Sequence, residues 1–310
     1  MKILVTGVAG DIGNGIGRIL KRERMTDCIV GCDIHIEHPG KLVFDYCEVI
    51  ERADSEQYIY SLKSIAKMHD IDLIIPTSEL ELRLLVREKL LDNVGGIQLL
   101  MANEMALTVG FDKLNTARFL ESAGLLHPWT KSVSEGPPDR LPCIIKSRIG
   151  AGGKDVALVQ SELVEFYSST RSGDIWQEYL QPDDQEFTCG VYRSSNRDIR
   201  TIIFRRKLNA GVSVYGEVVE NFEIERLLLS VAEKLKLIGS INVQLRLTER
   251  GPLIFEINPR FSSTVVFRHL IGFEDLIWSI NDKFGESIAN YVRPKVGKKF
   301  YRGTSEIIFE

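Results

Sequence analysis

Residues 241–258, INVQLRLTERGPLIFEIN, constrain the fold more than any other stretch of this chain. Apolar and polar residues alternate through 241–247 and again through 253–259, and successive side chains of a strand point to opposite faces. Asn242, Gln244 and Arg246 therefore share one face of a first strand. Glu256 and Asn258 share one face of a second, with Phe255 and Ile257 on the other. Between the strands, TERG reads as a hairpin turn whose three-residue loop, Glu249-Arg250-Gly251, puts glycine at the left-handed position. That register sets Gln244 opposite Glu256 and Asn242 opposite Asn258, with directly opposed side chains ~5 Å apart. Gln244, Glu256 and Asn258 can then converge on one hard cation. Oxygen donors without thiolate or imidazole point to Mg²⁺, with Mn²⁺ as an alternative, and away from zinc. A buried Glu256 without a partner would be costly, which favours the metal reading over a merely polar hairpin face. Pro259 ends the strand and presents Arg260 beside the cluster.

The first hundred residues alternate differently. KILVTG (2–7), CIVGCDI (28–34) and DLIIPTS (72–78) are short apolar runs, interspersed with amphipathic stretches at 12–24, 55–69 and 79–90. Strand and helix signals in alternation indicate a small parallel sheet with crossover helices. IQLLMA (97–102) reads as a further strand. A helix follows at 112–124, with Asp112 as N-cap and Gly124 as stop signal. The segment 134–142 is loop, and 143–159 is a pair of apolar runs flanking a glycine-rich turn. The last third mixes strands with two helices, 222–237 and a second around 264–283. An α+β region from about 110 onward is thus joined to an N-terminal α/β region.

At 310 residues, two or three subdomains are expected. A net charge of -4 supplies no electrostatic reason for a nucleic-acid or anionic-membrane partner. No apolar stretch approaches the ~20 residues of a membrane span, and MKILVTGVAG lacks the pattern of a signal peptide. Cysteines 28, 32, 47, 143 and 189 and histidines 35, 38, 69, 127 and 269 show no zinc-like or redox spacing. Scattered thiols fit a reducing, cytoplasmic compartment.

Gly7, Gly10 and Gly13 form GxxGxxG between a strand and a helix, a turn whose amides can face an anion. With Asp33 as a ribose acceptor this supports a NAD(P)-linked oxidoreductase as an alternative function. The downstream chemistry does not follow. The tyrosine–lysine pair four apart that such enzymes place on a helix is matched only by Tyr291 and Lys295, with Pro294 breaking any helix between them. Packing, or another anionic ligand, also accounts for the turn.

Lys146 ends the apolar strand CIIK and leads into RIGAGGKD, where Gly150, Gly152 and Gly153 let the backbone close over phosphates. Lys113 stands at a helix start. Gln177-Glu178-Tyr179-Leu180 can offer backbone polar groups to a purine edge, with Leu180 as apolar contact, and Glu186 can accept from ribose hydroxyls.

In this order the pieces resemble the ATP-grasp superfamily, most closely the members similar to the carbamoyl-phosphate synthetase large subunit and amino-acid ligases. They are DK (112–113), CIIKSRIGAGGKDV (143–156), QEYL (177–180), EFT (186–188), NVQ (242–244) and FEINPRFSS (255–263). The resemblance implies a Rossmann-like pre-ATP-grasp domain over 1–105 and a two-lobed ATP-grasp fold, with small lobe 106–182 and large lobe 183–310. It implies that Lys113, Lys146 and the loop with Gly150, Gly152 and Gly153 bind ATP phosphates. Glu178, Tyr179 and Leu180 would frame adenine, with Glu186 on ribose. Gln244, Glu256 and Asn258 would hold Mg²⁺, and Arg260 would stabilise the transferred phosphoryl group. Arg206, in the run Arg205-Arg206-Lys207, would bind a substrate anion. Relatives of this kind join a small-molecule carboxylate to an amine, as ligases, and a homodimer is the default expectation. A nucleotide-binding module without catalysis is a further alternative.

Two departures stand out: Lys154-Asp155 follows the loop glycines, and Gln244 is neutral where many relatives carry a carboxylate. The chain is shorter than the synthetase and shows no duplicated halves, so carbamoyl-phosphate synthesis itself is not expected.

Overall fold

A computed structural model describes residues 1–150, 155–209 and 212–303. Gly152, Gly153 and Lys154 lie outside the described residues. The chain opens with β1 (Lys2–Thr6), α1 (Asp11–Glu23), β2 (Cys28–Asp33), β3 (Tyr46–Val49), α2 (Tyr58–Met68), β4 (Leu73–Ile75), α3 (Glu79–Arg87), β5 (Asn93–Val94) and β6 (Ile97–Leu99). These form a sheet in the order β3-β2-β1-β4-β6-β5, parallel except for β5. Its two faces follow from alternation within β1. Ile3 and Val5 pack against Ile16, Ile19 and Leu20 of α1, whereas Leu4 packs against Leu62 and Ile65 of α2. Each such side chain contributes about 1.5–3 kcal/mol on burial. β3 escaped the sequence reading because it lies at the sheet edge, with Tyr46 and Val49 exposed, and so carries no apolar run.

The chain continues through α4 (Glu104–Gly110) and α5 (Lys113–Ser122) to β7 (Thr130–Ser132), β8 (Cys143–Lys146), β9 (Ala157–Val159), α6 (Val164–Thr170) and β10 (Ile175–Glu178). A second sheet, antiparallel, has the order β7-β10-β8-β9. The remaining elements are β11 (Glu186–Arg193), β12 (Ile199–Asn209), β13 (Val212–Val218), α7 (Phe222–Lys234), β14 (Gly239–Thr248), β15 (Gly251–Asn258), α8 (Val265–Ile271), α9 (Asp275–Lys283) and β16 (Lys299–Tyr301). The strands of this set form a third, antiparallel sheet ordered β15-β14-β11-β12-β13-β16. One face of it is covered by α7, through Ile224, Leu228 and Val231, together with Ala106 of α4 and Leu120 of α5.

Two expectations need correction. The helix around 264–283 is two helices. Gly272 adopts φ +106° and its N–H closes onto the carbonyls of Arg268 and His269, ending α8 so that Phe273 can bury completely. The β14–β15 hairpin pairs Gln244 with Glu256 and Asn242 with Asn258, as expected, but by a different route. At the tip Thr248 pairs with Gly251, whose φ is +96°, so only Glu249 and Arg250 intervene. A bulge between Gln244 and Leu245 then shifts the register back. The extra residue is Phe255. Ile254 and Ile257 therefore share the core, while Phe255 joins Glu256 on the cleft side instead of Ile257.

Candidate active site

A cleft of about 640 Å³ opens between the second and third sheets. Lys113, Lys146, Gly150, Glu178, Tyr179, Leu180, Glu186, Arg206, Gln244 and Glu256 all line it. Residues more than 140 positions apart in the chain thus meet, because β8, β10, β11, β12, β14 and β15 present their polar faces to one space.

At one end stand the cations. Lys146 is buried at the end of β8, its ammonium 3.3 Å from the carbonyl of Phe255 and 5.4 Å from the centre of that ring. Burial pushes its pKa down to about 8, although the Glu256 carboxylate works in the opposite direction. Lys113 is the first residue of α5, and its Nζ donates to the Gly150 carbonyl at 2.6 Å. The base of the glycine-rich loop is held to the same helix terminus. Arg148 donates from Nε to both Asp112 oxygens at 2.9 and 2.8 Å, and the Lys113 amide donates to the Arg148 carbonyl. Asp112 meanwhile caps α5 through Leu114 and Asn115. Burial alone would raise its carboxyl, but Arg148 and the helix amides outweigh that and hold it below the ordinary value.

Glu256 and Asn258 lie together, with Asn258 Nδ2 donating to Glu256 Oε1 at 3.0 Å. That leaves Glu256 Oε2 and Asn258 Oδ1 as hard donors. The amide oxygen of Gln244 accepts from Arg206 Nη2 at 2.7 Å. Asn242 is occupied elsewhere, its Oδ1 accepting from Thr188 at 3.0 Å. One carboxylate flanked by amide oxygens and a lysine suits a hydrated divalent cation of the Mg²⁺ kind, which keeps few protein ligands.

At the other end, Leu180 is buried and its carbonyl accepts from Arg246 Nη1 at 2.6 Å. Glu178 turns its carboxylate away from the cleft, to Arg250 at 2.5 Å and the Trp129 amide at 3.3 Å. Only its backbone remains for a ligand. Tyr179 donates its hydroxyl to Asp183. Glu186 is held by two guanidiniums, Arg206 on Oε1 and Arg246 on Oε2. Arg246, Arg148 and Phe255 are cleft or loop-base residues to which the sequence reading assigned no role. Arg246 carried a signal, sharing the alternating face of Gln244.

Arg260 is not brought into this cleft. It lines a neighbouring cavity of about 360 Å³ between the first and third sheets, with Nη1 donating to the Phe261 carbonyl. Burial lowers its pKa, opposed by Glu79 at the start of α3 and by Glu256. It therefore sits between the metal-candidate pair and the first sheet.

The N-terminal glycine turn is accounted for within the chain. The Ala9 amide donates to Asp33 Oδ2 at 2.9 Å, so Asp33 serves its own turn. A Cβ on Gly13 would lie 2.5 Å from the Gly7 carbonyl oxygen, and one on Gly15 would lie 2.8 Å from Val266 of α8. These glycines permit close packing.

Comparison with known proteins agrees with this architecture. The family described as "ATP-grasp in the biosynthetic pathway with Ter operon" matches residues 175–300. No curated protein sequence matches the chain. Among solved structures, the chain superimposes on N5-carboxyaminoimidazole synthetase from Staphylococcus aureus complexed with ADP, with a TM-score of 0.72 and 18% identity over 94% of this chain and 79% of that one. Biotin carboxylase from Campylobacter jejuni, in a β-γ-ATP complex, gives 0.71 and 14% over 96% and 74%. The biotin carboxylase domain dimer of Hydrogenobacter thermophilus 2-oxoglutarate carboxylase, with MgADP, ADP and bicarbonate, gives 0.73 and 15% over 96% and 73%. Residues 175–300 thus resemble an ATP-grasp family, and the chain shares its overall fold with these solved structures.

Proposed function

We propose that the protein is an ATP-dependent ligase that joins a carboxylate to an amine through an acyl-phosphate, releasing ADP and phosphate. The observation that carries this reading is the cleft itself. Lys113, Lys146 and Glu256 line the same space as Leu180 and Glu186, which suits a triphosphate at one end and a nucleoside at the other. ADP or an ATP analogue bound to the structural neighbours supports it. A metal held by Glu256 and Asn258, with Gln244 as a further candidate, would neutralise charge on the phosphates.

The substrate carboxylate oxygen attacks the γ-phosphorus and the bond to the β-phosphate oxygen breaks, with ADP leaving. Such a transfer needs positioning and electrostatics more than a covalent nucleophile. Lys146, buried beside Phe255, and Lys113 at the α5 terminus supply positive charge there. The amine then attacks the acyl carbon, phosphate leaves, and the nitrogen loses a proton. Arg206, which lines the cleft, is the candidate guanidinium for the substrate anion, whereas Arg260 lines the neighbouring cavity and would meet the phosphoryl group only if that group reached past Glu256.

The three sheets support reading the chain as a Rossmann-like domain at 1–105, a small lobe at 106–182 and a large lobe at 183–310. α4 and α5 nevertheless pack on the third sheet. Among the described residues no helix is long and apolar enough to cross a membrane. A cytoplasmic location and a homodimer belong to the same proposal, the latter checked by light scattering. The deciding experiment is an ADP-release screen across paired carboxylates and amines with mass detection of products. Full ADP formation by Glu256→Gln with the right pair would remove the metal assignment.

A further inference from the structure

Arg246 reaches three acceptors with one guanidinium. Nη1 donates to the Leu180 carbonyl at 2.6 Å and to Asp183 Oδ1 at 2.9 Å, while Nη2 donates to Glu186 Oε2 at 2.7 Å. Its side chain is only 15% exposed. Asp183 also accepts from the Tyr179 hydroxyl at 2.8 Å, and the neighbouring Leu247 amide donates to the Gln185 carbonyl. The whole segment 179–186 is thus fastened to β14. From Glu186 the chain of bonds continues through Arg206 to Gln244.

Two of the acceptors belong to different parts of the proposed nucleotide site. Leu180 lies where a base would pack, and Glu186 where ribose hydroxyls would be accepted. Glu186 Oε2 receives one N–H from Arg246, and a carboxylate oxygen has two lone-pair sites. One acceptor position therefore remains for a hydroxyl. The guanidinium is a rigid planar fork, so it cannot follow a displaced Leu180 carbonyl without tilting its bond to Glu186. The buried Nε has no partner among the described residues.

We infer that Arg246 is a positioning residue that couples recognition of the nucleotide base to recognition of its sugar. The inference rests on reading the cleft as a nucleotide site. Base and ribose are then selected as one unit: a base that seats poorly against Leu180 also loses part of the ribose interaction at Glu186.

The test is a four-ligand cycle by calorimetry on the full chain with Mg²⁺, using ADP, IDP, 2′,3′-dideoxy-ADP and 2′,3′-dideoxy-IDP. In the wild type, removing the hydroxyls should weaken binding by a factor about 5 or more larger in the adenine pair than in the hypoxanthine pair, within the usual range of coupling. In Arg246→Ala and Arg246→Lys the two factors should be equal within error. Lysine keeps the charge without the fork, and it remains informative if the alanine variant fails to fold. A variant that loses affinity equally for all four ligands but keeps the wild-type coupling shows a merely structural role and overturns the inference. So does a wild-type protein that binds ADP without coupling. If the wild type binds none of the four, the nucleotide reading itself falls and takes the inference with it.

Discussion

Lys146 carries a pH dependence whose sign differs between activity and stability. Its pKa of about 8 in the folded protein means that the ammonium available to ATP phosphates is lost as pH rises through that value. The kcat/KM for ATP should fall above about pH 8, a limb that Lys146→Arg should remove, because a guanidinium stays charged. Stability runs the other way. The unfolded lysine titrates near ~10.4, so between about 8 and ~10.4 the unfolded state binds more protons and the fold gains stability with rising pH. Denaturant titrations at pH 8 and 10 should show the wild type gaining stability relative to Lys146→Met, because the buried cysteines, whose raised thiols act in the opposite direction, are common to both. For Glu256, replacement by Gln should lower ADP formation by about 100-fold or more, on the scale of lost electrostatic stabilisation, and raise the Mg²⁺ concentration for half-saturation. The pairing of Glu256 with Asn258 was legible, because alternation within one strand decides which residues share a face. The capture of Gln244 and Glu186 by Arg206 was not. It depends on β11, β12 and β14 lying side by side, an order that local spacing does not encode.

The β14–β15 hairpin shows how a correct pairing can rest on an incorrect turn. Reading Gly251 as the third loop residue put Gln244 opposite Glu256, and they are opposite. The tip is one residue tighter, and the Phe255 bulge restores the offset just before the site. A phenylalanine bulge lacks the glycine that marks such irregularities in a sequence, so nothing betrayed it. Deleting Phe255 removes only the unpaired residue, so the ladder should become regular with Glu256 still opposite Gln244, and Mg²⁺-dependent ADP binding should persist in calorimetry. Gly251→Ala should destabilise by about 1 kcal/mol or more in urea titrations, since its φ of +96° is strained for any side chain. The α8–α9 break was legible in principle: Gly272 stood inside the stretch read as one helix, and a glycine near a helix end is a stop signal.

At the scale of the molecule, the first and third sheets are tied together close to the candidate site. α1 meets α8 where Gly15 leaves no room for a Cβ beside Val266. Glu23 accepts from His269 at 3.0 Å, and Arg302 joins Asp11 to the Ser263 carbonyl. Gly15→Leu should therefore cost about 1–3 kcal/mol by overpacking, measured by thermal unfolding. It should also lower kcat, because α8 follows directly on the loop that carries Arg260. The strand–helix alternation announced the first sheet from sequence, but the glycines of α1 spoke equally for a ligand or for packing. The close approach of Gly15 to Val266 of α8, encoded some 250 residues later, is a packing constraint that no local pattern announces.

The apolar layer under β1 has a consequence for how the chain is made. It is completed by Phe261, Val265, Leu276 and Ile280, which leave the ribosome long after the strands they cover. Until then the emerging N-terminal sheet has one sticky face and no means of hiding it, a state prone to aggregation or chaperone capture. Residues 1–105 produced alone should therefore be poorly soluble and bind hydrophobic dyes. Adding the distant helices, and not lengthening the sheet, should be what allows this segment to mature.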